Sequence, residues 1–368
     1  MATGEASGDM LAATLAEAMR AFVPDLELAG IGSERMQAAG FELTTHTRGW
    51  ASLGPIEALR KIPPLFVNVW RHSFWLRFAP RDLIVLIDFG AYNLRFARAL
   101  RRIGYRAPIL YYFPPGAWYD RAAQAEAVAR VTVPLTAFEH QRDFYRSLGL
   151  EIAWFGHPLV SLIEPRRSRP PAPARGGTVA LLPGSRRGEL ERHADRLFEA
   201  VRLLRARRPN LNAVVGAADD AAEALLRERM DAAGFAAPIV RGARAALDAA
   251  DVAFVASGTA VLEAALREVP TVALYVIASS QVPIAKRLMR GRRFITLPNI
   301  LLDRALVPEL LQDAATPDAL AAAAEELLDA PQAQLAGYRE LRDRLGPADA
   351  LQRCAAFAVA LARDAQRV

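Results

Sequence analysis

Three stretches in the second half of the chain combine glycine, hydroxyl and charged side chains where an apolar run gives way to a helical pattern. In the first, Val179-Ala180-Leu181-Leu182 runs into Pro183-Gly184-Ser185-Arg186-Arg187-Gly188-Glu189. A glycine that frees the backbone, a hydroxyl and a guanidinium at a helix start suit a phosphate or diphosphate, because amide donors and a planar cation both meet the anion. The same residues also read as an ordinary strand-to-helix turn with a solvated arginine. In the second, Val252-Ala253-Phe254-Val255-Ala256 precedes Ser257-Gly258-Thr259 and a helix carrying Glu263. Thr259 and Glu263 are four apart and share a helix face, so a phosphate at the helix start and a ribose diol against the deeper carboxylate suit one ligand. An N-capping Ser257 and a surface Glu263 account for the same pattern. The third, Thr296-Leu297-Pro298-Asn299-Ile300-Leu301, offers Asn299 either to a nucleotide or sugar or to a simple turn.

At the amino end, Gly4-Glu5-Ala6-Ser7-Gly8-Asp9 enters the helical pattern of Met10, Leu11, Leu15 and Met19. Ser7 and Asp9 can cap that helix, whose amino end favours negative charge. A turn of this kind normally follows a strand, yet only Met1, Ala2 and Thr3 precede it. Losing a central strand would leave its neighbours unpaired. The expectation is therefore a misassigned start at Met1, with further apolar residues encoded upstream.

The elements that must position these loops alternate along the chain. Short β-branched runs (residues 26–31, 83–87, 109–112, 131–133 and 152–154, then 179–182, 213–215, 239–240, 252–256, 272–275 and 294–297) are mostly separated by amphipathic helical stretches. That alternation predicts an α/β protein with parallel sheets. Pro165, Pro170, Pro171, Pro173 and paired glycines interrupt it, so residues 1–164 form one domain, 165–177 a linker and 178–346 a second domain. Residues 347–368 form a terminal helix that packs back on the first domain. Two doubly wound domains facing one another across a cleft are the predicted architecture, with ligands beyond the carboxyl ends of strands.

With 368 residues, 52% hydrophobic and 23% charged, the chain is an ordered globular protein long enough for two domains. Cys354 stands alone, which excludes a disulfide framework and a Cys-based zinc site and suits a reducing cytoplasm. His46, His72, His140, His157 and His193 lack metal-ligand spacing. No apolar run approaches the roughly 18 to 20 residues that span a bilayer, and a signal-peptide pattern is lacking, so the chain is expected to stay inside the cell. The net charge of +6 would suit nucleic acid, anionic lipid or a phosphorylated substrate, but no nucleic-acid-binding motif accompanies it.

Six motifs in register carry a resemblance. Gly4-Glu5-Ala6-Ser7-Gly8-Asp9, Gly32-Ser33-Glu34-Arg35-Met36-Gln37-Ala38-Ala39-Gly40-Phe41, Phe155-Gly156-His157-Pro158-Leu159, Leu181-Leu182-Pro183-Gly184-Ser185-Arg186, Ser257-Gly258-Thr259-Ala260-Val261-Leu262-Glu263 and Leu297-Pro298-Asn299 together resemble the lipid-A-disaccharide synthase family. The resemblance implies a GT-B fold and an inverting, metal-independent glycosyltransferase with no cofactor beyond its UDP-sugar donor. Members transfer 2,3-diacylglucosamine from UDP to 2,3-diacylglucosamine 1-phosphate. They make the β-1,6 disaccharide of lipid A at the cytoplasmic face of the inner membrane. Carried over by residue, Gly184, Ser185, Arg186, Ser257, Gly258, Thr259 and Glu263 hold UDP with help from Asn299, while Glu5, Ser7 and Asp9 position sugar hydroxyls.

Two places depart from the family. Many members show Asp-Ala-Pro-Asp-Phe-Asn, the second aspartate being the usual candidate base; here the segment is Asp88-Phe89-Gly90-Ala91-Tyr92-Asn93. Either Asp88 takes the proton or activity is altered or absent; a buried aspartate capping the next helix is the structural alternative. Tyr111-Tyr112-Phe113-Pro114-Pro115-Gly116-Ala117-Trp118 keeps Trp118 in changed surroundings, which opens the acceptor's identity. Between Leu59 and Pro80, Leu65, Phe66, Val69, Trp70, Phe74, Trp75, Leu76 and Phe78 mingle with Arg60, Lys61, Arg71 and Arg77. That mixture suits an interfacial helix on the anionic inner membrane, or a helix buried against its own sheet or a homodimer partner. Lys286, Arg287, Arg290, Arg292 and Arg293 form a second basic cluster, for headgroups or for water. A UDP-N-acetylglucosamine 2-epimerase and a non-catalytic nucleotide-sugar-binding relative are the rival readings.

Overall fold

The computed structural model describes residues 1–4, 6–47, 55–116, 121–166, 176–288 and 291–366. Glu5, Trp118, Arg290 and most of the expected linker lie outside them, as do the side chains of residues 55–66. The chain divides into two compact units, Met1–Leu162 with Leu345–Val368, and Ile163–Arg344. Among the described residues no helix is long and apolar enough to cross a membrane.

Unit 1 carries β1 (Ala29–Gly32), β2 (Glu42–His46), β3 (Ile84–Ile87), β4 (Ile109–Tyr112), β5 (Val133–Thr136) and β6 (Ala153–Trp154). β3 to β6 form one parallel sheet and β1 pairs with β2. The first strand, expected to be missing, is represented by residues 1–3. Ala2 bridges Ile31 of β1 and Leu86 of β3, both in parallel. Met1 N–H donates to Ala29 O, Ile31 N–H to Met1 O and Thr3 N–H to Ile31 O on one side; Ala2 N–H donates to Val85 O and Ile87 N–H to Ala2 O on the other. β1 and β3 are thereby joined rather than left unpaired. Beside Met1 a cavity of about 620 Å³ opens among Met19, Leu28, Leu76, Ile84 and Phe96. Burial, with help from Arg81, lowers the Met1 ammonium to about 5.

Helix Ala6–Arg20 buries Leu11, Leu15 and Met19, spaced four apart, with Ala16 beside them, in the same core as Leu351, Cys354, Ala355 and Ala358 of helix Ala350–Gln366. Helix Pro55–Phe78 turns Val69, His72, Ser73 and Leu76 inward. Val69 and Leu76 share a core with Phe96 and Leu100 of helix Gly90–Arg102. Val67, Trp70, Phe74, Trp75 and Phe78 remain exposed on the same helix.

Unit 2 carries β7 (Gly176–Leu182), β8 (Asn210–Ala217), β9 (Ile239–Arg241), β10 (Val252–Ala256), β11 (Thr271–Tyr275) and β12 (Glu309–Leu311) in one parallel sheet of order β12-β11-β10-β7-β8-β9. The central strands are buried on both faces, which explains their continuous apolar runs. Residues 294–297, expected as the last strand, are not one. Thr296 is the N-cap of helix Leu297–Leu302, and the Glu309 carboxylate accepts the N–H groups of Ile295 and Thr296. The segment's donors are spent on a side chain of the edge strand instead of a ladder.

Candidate active site

Open parallel sheets bind ligands beyond the carboxyl ends of strands, where the strand order reverses. In unit 2 the chain winds outward from β7 to β9 and returns at β10, and the register sets Leu182 beside Val255. The loops carrying Gly184-Ser185-Arg186 and Ser257-Gly258-Thr259 therefore start side by side. Gly184 has φ 120, and a Cβ there would stand 2.6 Å from Glu189 Oε2, so conformation and space both demand glycine. Glu189 Oε2 accepts the N–H groups of Ser185 (3.2 Å) and Arg186 (3.3 Å), and its Oε1 takes Arg186 Nη1 at 3.2 Å. The two amides expected to face an anion are thus engaged by a carboxylate of the following helix, Arg187–Arg207. That carboxylate shapes the loop and tethers the guanidinium.

Gly258, the N-cap of helix Thr259–Leu266, is exposed with φ 156 and ψ −161, a region essentially confined to glycine. Nothing lies within 4 Å of where its Cβ would be, so ligand atoms can approach the backbone there. Ser257 N–H is used by Leu274 O at 2.9 Å. Ser257, Thr259 and Glu263 are half-buried, the last one helical turn beyond Thr259. Asn299 stands apart from them in role. It is buried, its Nδ2 donates to Val307 O (2.8 Å) and Glu309 Oε1 (2.8 Å), and its Oδ1 accepts Leu306 N–H (2.8 Å) and Val307 N–H (2.8 Å). Both donors and both acceptor positions are filled, which leaves the expected nucleotide contact no unused group.

Behind these loops lie residues that sequence reasoning passed over. His193 Nδ1 meets Pro183 O at 2.7 Å, Val276 N–H donates to His193 Nε2 at 3.0 Å, and Arg192 Nε donates to Val276 O at 2.8 Å. Tyr275 is half-buried at the end of β11, its hydroxyl pKa raised by burial first and by Glu189 second. The signal was present in the spacing of Glu189 and His193, four apart on one helix face just after the Arg186 cap.

In unit 1 the reversal falls between residues 1–3 and β3. A Cβ on Gly4 would stand 2.2 Å from the Phe89 ring, so the ring lies directly on the glycine backbone. Asp88 (φ 49) and Phe89 (φ 46) are both left-handed, each at a cost of about 1–3 kcal/mol. Asp88 is held there by its own backbone: its carbonyl accepts Asn93 Nδ2 (2.8 Å) and the Tyr111 hydroxyl (2.9 Å), and its N–H donates to Tyr112 O (3.0 Å). The residue is exposed, and Phe89 rather than Asp88 is the N-cap of the next helix, which removes the buried-cap alternative. Ser7 is half-buried in the first helical turn.

Asp9, expected to meet sugar hydroxyls, turns away from that loop. It is 1% exposed, and its carboxylate accepts Ser33 N–H (2.6 Å), Ser33 Oγ–H (2.7 Å), Arg35 N–H (3.0 Å) and Met36 N–H (3.3 Å) at the start of helix Glu34–Ala38. A helix start is a ready site for a carboxylate, and this one is filled from within the protein. The Gly156-His157-Pro158 motif joins the returning terminal segment: His157 N–H donates to Leu345 O at 2.7 Å, and a Cβ on Gly156 would stand 2.9 Å from that oxygen. His157 sits among Phe113 and Phe138, and burial lowers it to about 3.

Two parallel-sheet units, each with glycine loops at its reversal point, define the GT-B fold of nucleotide-sugar enzymes. The same fold is seen in a UDP-GlcNAc 2-epimerase from Neisseria meningitidis bound to UDP-GlcNAc (TM-score 0.61, 8% identity, 95% of this chain and 96% of that one). It is seen again in a spinosyn rhamnosyltransferase complexed with thymidine diphosphate (TM-score 0.56, 14% identity, 96% of this chain and 98% of that one). At these identities the likeness is one of fold alone. Sequence carries the rest: the family model for lipid-A-disaccharide synthetase matches residues 1–351. A lipid-A-disaccharide synthase from Synechocystis sp. is 33% identical over 392 aligned positions, covering 100% of this chain and 98% of the relative. One from Thiobacillus denitrificans is 37% identical over 335, covering 88% of each. The chain belongs to the lipid-A-disaccharide synthetase family and is a glycosyltransferase of lipid A biosynthesis.

Proposed function

We propose that the chain transfers 2,3-diacylglucosamine from UDP to 2,3-diacylglucosamine 1-phosphate with inversion and without a metal ion. The observation that carries this is the pairing, at the unit 2 reversal point, of the Gly184–Arg186 turn with the open backbone over Gly258. UDP fits there with its diphosphate against Arg186 and the start of helix Thr259–Leu266, and its ribose against Glu263. The acceptor belongs to unit 1, beside Ser7 and Asp88. Its 6-hydroxyl oxygen bonds to the anomeric carbon of the donor sugar as the bond from that carbon to the UDP oxygen breaks. The hydroxyl proton passes to the Asp88 carboxylate, and the electron pair leaves on the diphosphate, where Arg186 and the helix dipole stabilise the growing charge. Ala91 cannot take the proton, and the exposed, strained Asp88 is the carboxylate nearest in sequence that can.

Docking at the cytoplasmic face of the inner membrane brings the chain to its acylated substrates. Trp70, Phe74 and Phe78 on helix Pro55–Phe78, with Arg71 and Arg77 beside them, have the composition of an interfacial helix. UDP release measured with and without the acylated acceptor tests the reaction. Asp88→Asn should cut transfer by about 10²–10⁴-fold while sparing UDP binding. Undiminished turnover in that variant removes Asp88 from the mechanism, and acceptor-independent loss of UDP points to another reaction.

A further inference from the structure

His193 is fully buried on helix Arg187–Arg207, and its two ring nitrogens face partners of opposite kind. Pro183 O is only an acceptor, so Nδ1 at 2.7 Å must carry the proton. Val276 N–H is only a donor, so Nε2 at 3.0 Å must offer its lone pair. Charge and tautomer are both set: one neutral form satisfies the two contacts. Pro183 begins the loop after β7 and Val276 follows β11, while β10, whose loop carries Gly258, lies between those strands in the sheet. One side chain thus holds the flanking loops of the candidate nucleotide site in fixed relation.

We infer that His193 is a positioning residue for the UDP diphosphate: neutral, it ties the Gly184–Arg186 turn to the loop after β11, and protonation unties them. This rests on the UDP reading of the unit 2 site. An imidazolium would present a second N–H to Val276 N–H, replacing a hydrogen bond by repulsion. The charged and titratable groups around the ring are Glu189 and Arg192 on its own helix, with Tyr275 at the end of β11, its ring centroid 6.1 Å away. Burial is the largest influence and holds the imidazole below its ordinary pKa, in keeping with the neutral form. Arg192 reinforces the tie through Val276 O, so the acid-sensitive part is the Val276 N–H bond.

The test is calorimetric titration of the full chain with UDP from about pH 5 to about pH 8 for wild type, His193→Gln and His193→Leu. Glutamine carries an amide donor and acceptor and does not titrate; leucine carries neither. UDP's own protonation is common to all three proteins and cancels in the comparison. The expected result is wild-type affinity that falls on acidification more steeply than that of His193→Gln, by up to about tenfold per pH unit. His193→Gln should bind within about threefold of wild type near neutrality, and His193→Leu about 10- to 30-fold more weakly at every pH, as two lost hydrogen bonds require. A merely structural histidine would lower the melting temperature without changing the acid limb of UDP binding. Equal affinity of His193→Leu and wild type, or an unchanged acid limb in His193→Gln, overturns the inference. If His193→Leu fails to fold, the acid limb of His193→Gln decides alone. Wild type that binds no UDP at any pH overturns the UDP reading and this inference with it.

Discussion

Replacing Asp9 by alanine separates a structural carboxylate from a substrate-binding one. The substitution strips the acceptor from three backbone N–H groups and one hydroxyl at the start of helix Glu34–Ala38. Ser33 is half-buried and Arg35 exposed, so part of what is uncovered can rehydrate, whereas Met36 is fully buried and its N–H cannot. At roughly 1 kcal/mol for each of the four lost bonds, partly offset by rehydration at Ser33 and Arg35, the cost is about 3 kcal/mol. For a unit of this size that lowers the melting temperature by about 6–12 °C. Asp9→Asn keeps one acceptor but turns an NH₂ toward the donors, and should fall between alanine and wild type. Gly32→Ala reaches the same pocket by another route, because its Cβ would stand 2.7 Å from Asp9 Oδ1 and 2.2 Å from the Met36 sulfur. Thermal unfolding followed by circular dichroism reads the stability, and kcat/KM well below the transition reads the chemistry. All three variants should melt early and turn over normally per folded molecule. An Asp9→Ala protein that melts like wild type but loses transfer a hundredfold or so would refute the assignment and return Asp9 to the substrate.

Gly258→Ala meets no steric obstacle but forces a Cβ into a glycine-only backbone region; about 1–3 kcal/mol of strain should weaken UDP binding about tenfold, read by calorimetry. His157, lowered by burial to about 3 against an unfolded value near 6.5, binds its proton more readily when unfolded. Its contribution to stability is therefore complete above about pH 6.5 and lost as pH falls toward 3, at up to about 1.4 kcal/mol per pH unit. Acid denaturation should show a shallower slope in His157→Gln, and NMR should find no titration of His157 near neutrality. Serine at Trp70 and Phe74 together should reduce cosedimentation with anionic vesicles by tenfold or more, given about 1.5–3 kcal/mol for burying one such ring, and leave the melting temperature within a degree or so.

What could be read in advance follows from the range of the forces involved. β3 and β4 are buried throughout, so Ile84–Ile87 and Ile109–Tyr112 announce themselves as apolar runs. β2, with Glu42, Thr44 and Thr45 along a half-exposed edge, offers no such run and was not foreseen. Residues 294–297 have strand-like composition, yet their fate is decided by Glu309, which no local spacing connects to them. The side-chain roles divide in the same way. Gly184, Gly258 and the helix starts behind them are local devices and were legible. Asp9 and Asn299 look, by type, like groups for a ligand; partners 24 or more residues away claim the first, and residues within ten of it claim the second. His193 shares a helix face with Glu189, but its decisive partner, Val276 N–H, lies 83 residues on.

The three residues at the amino end, bridged to both neighbours at Ala2, have a consequence for motion. β1 and β2 hydrogen-bond to the rest of the sheet only across residues 1–3 among the described residues, through three main-chain bonds on the β1 side and two on the β3 side. Side chains add further ties from that corner: Asp9 grips the start of helix Glu34–Ala38, Thr45 Oγ1 meets His72 Nε2 at 2.8 Å, and Arg20 Nη2 donates to Ala39 O at 2.8 Å. The corner's main-chain link to the rest of the sheet is thus one narrow seam, and its amides should exchange with solvent together, ahead of β3 to β6. Gly4 follows that seam directly and lies against the Phe89 ring, so an opening of the corner should reach that contact first.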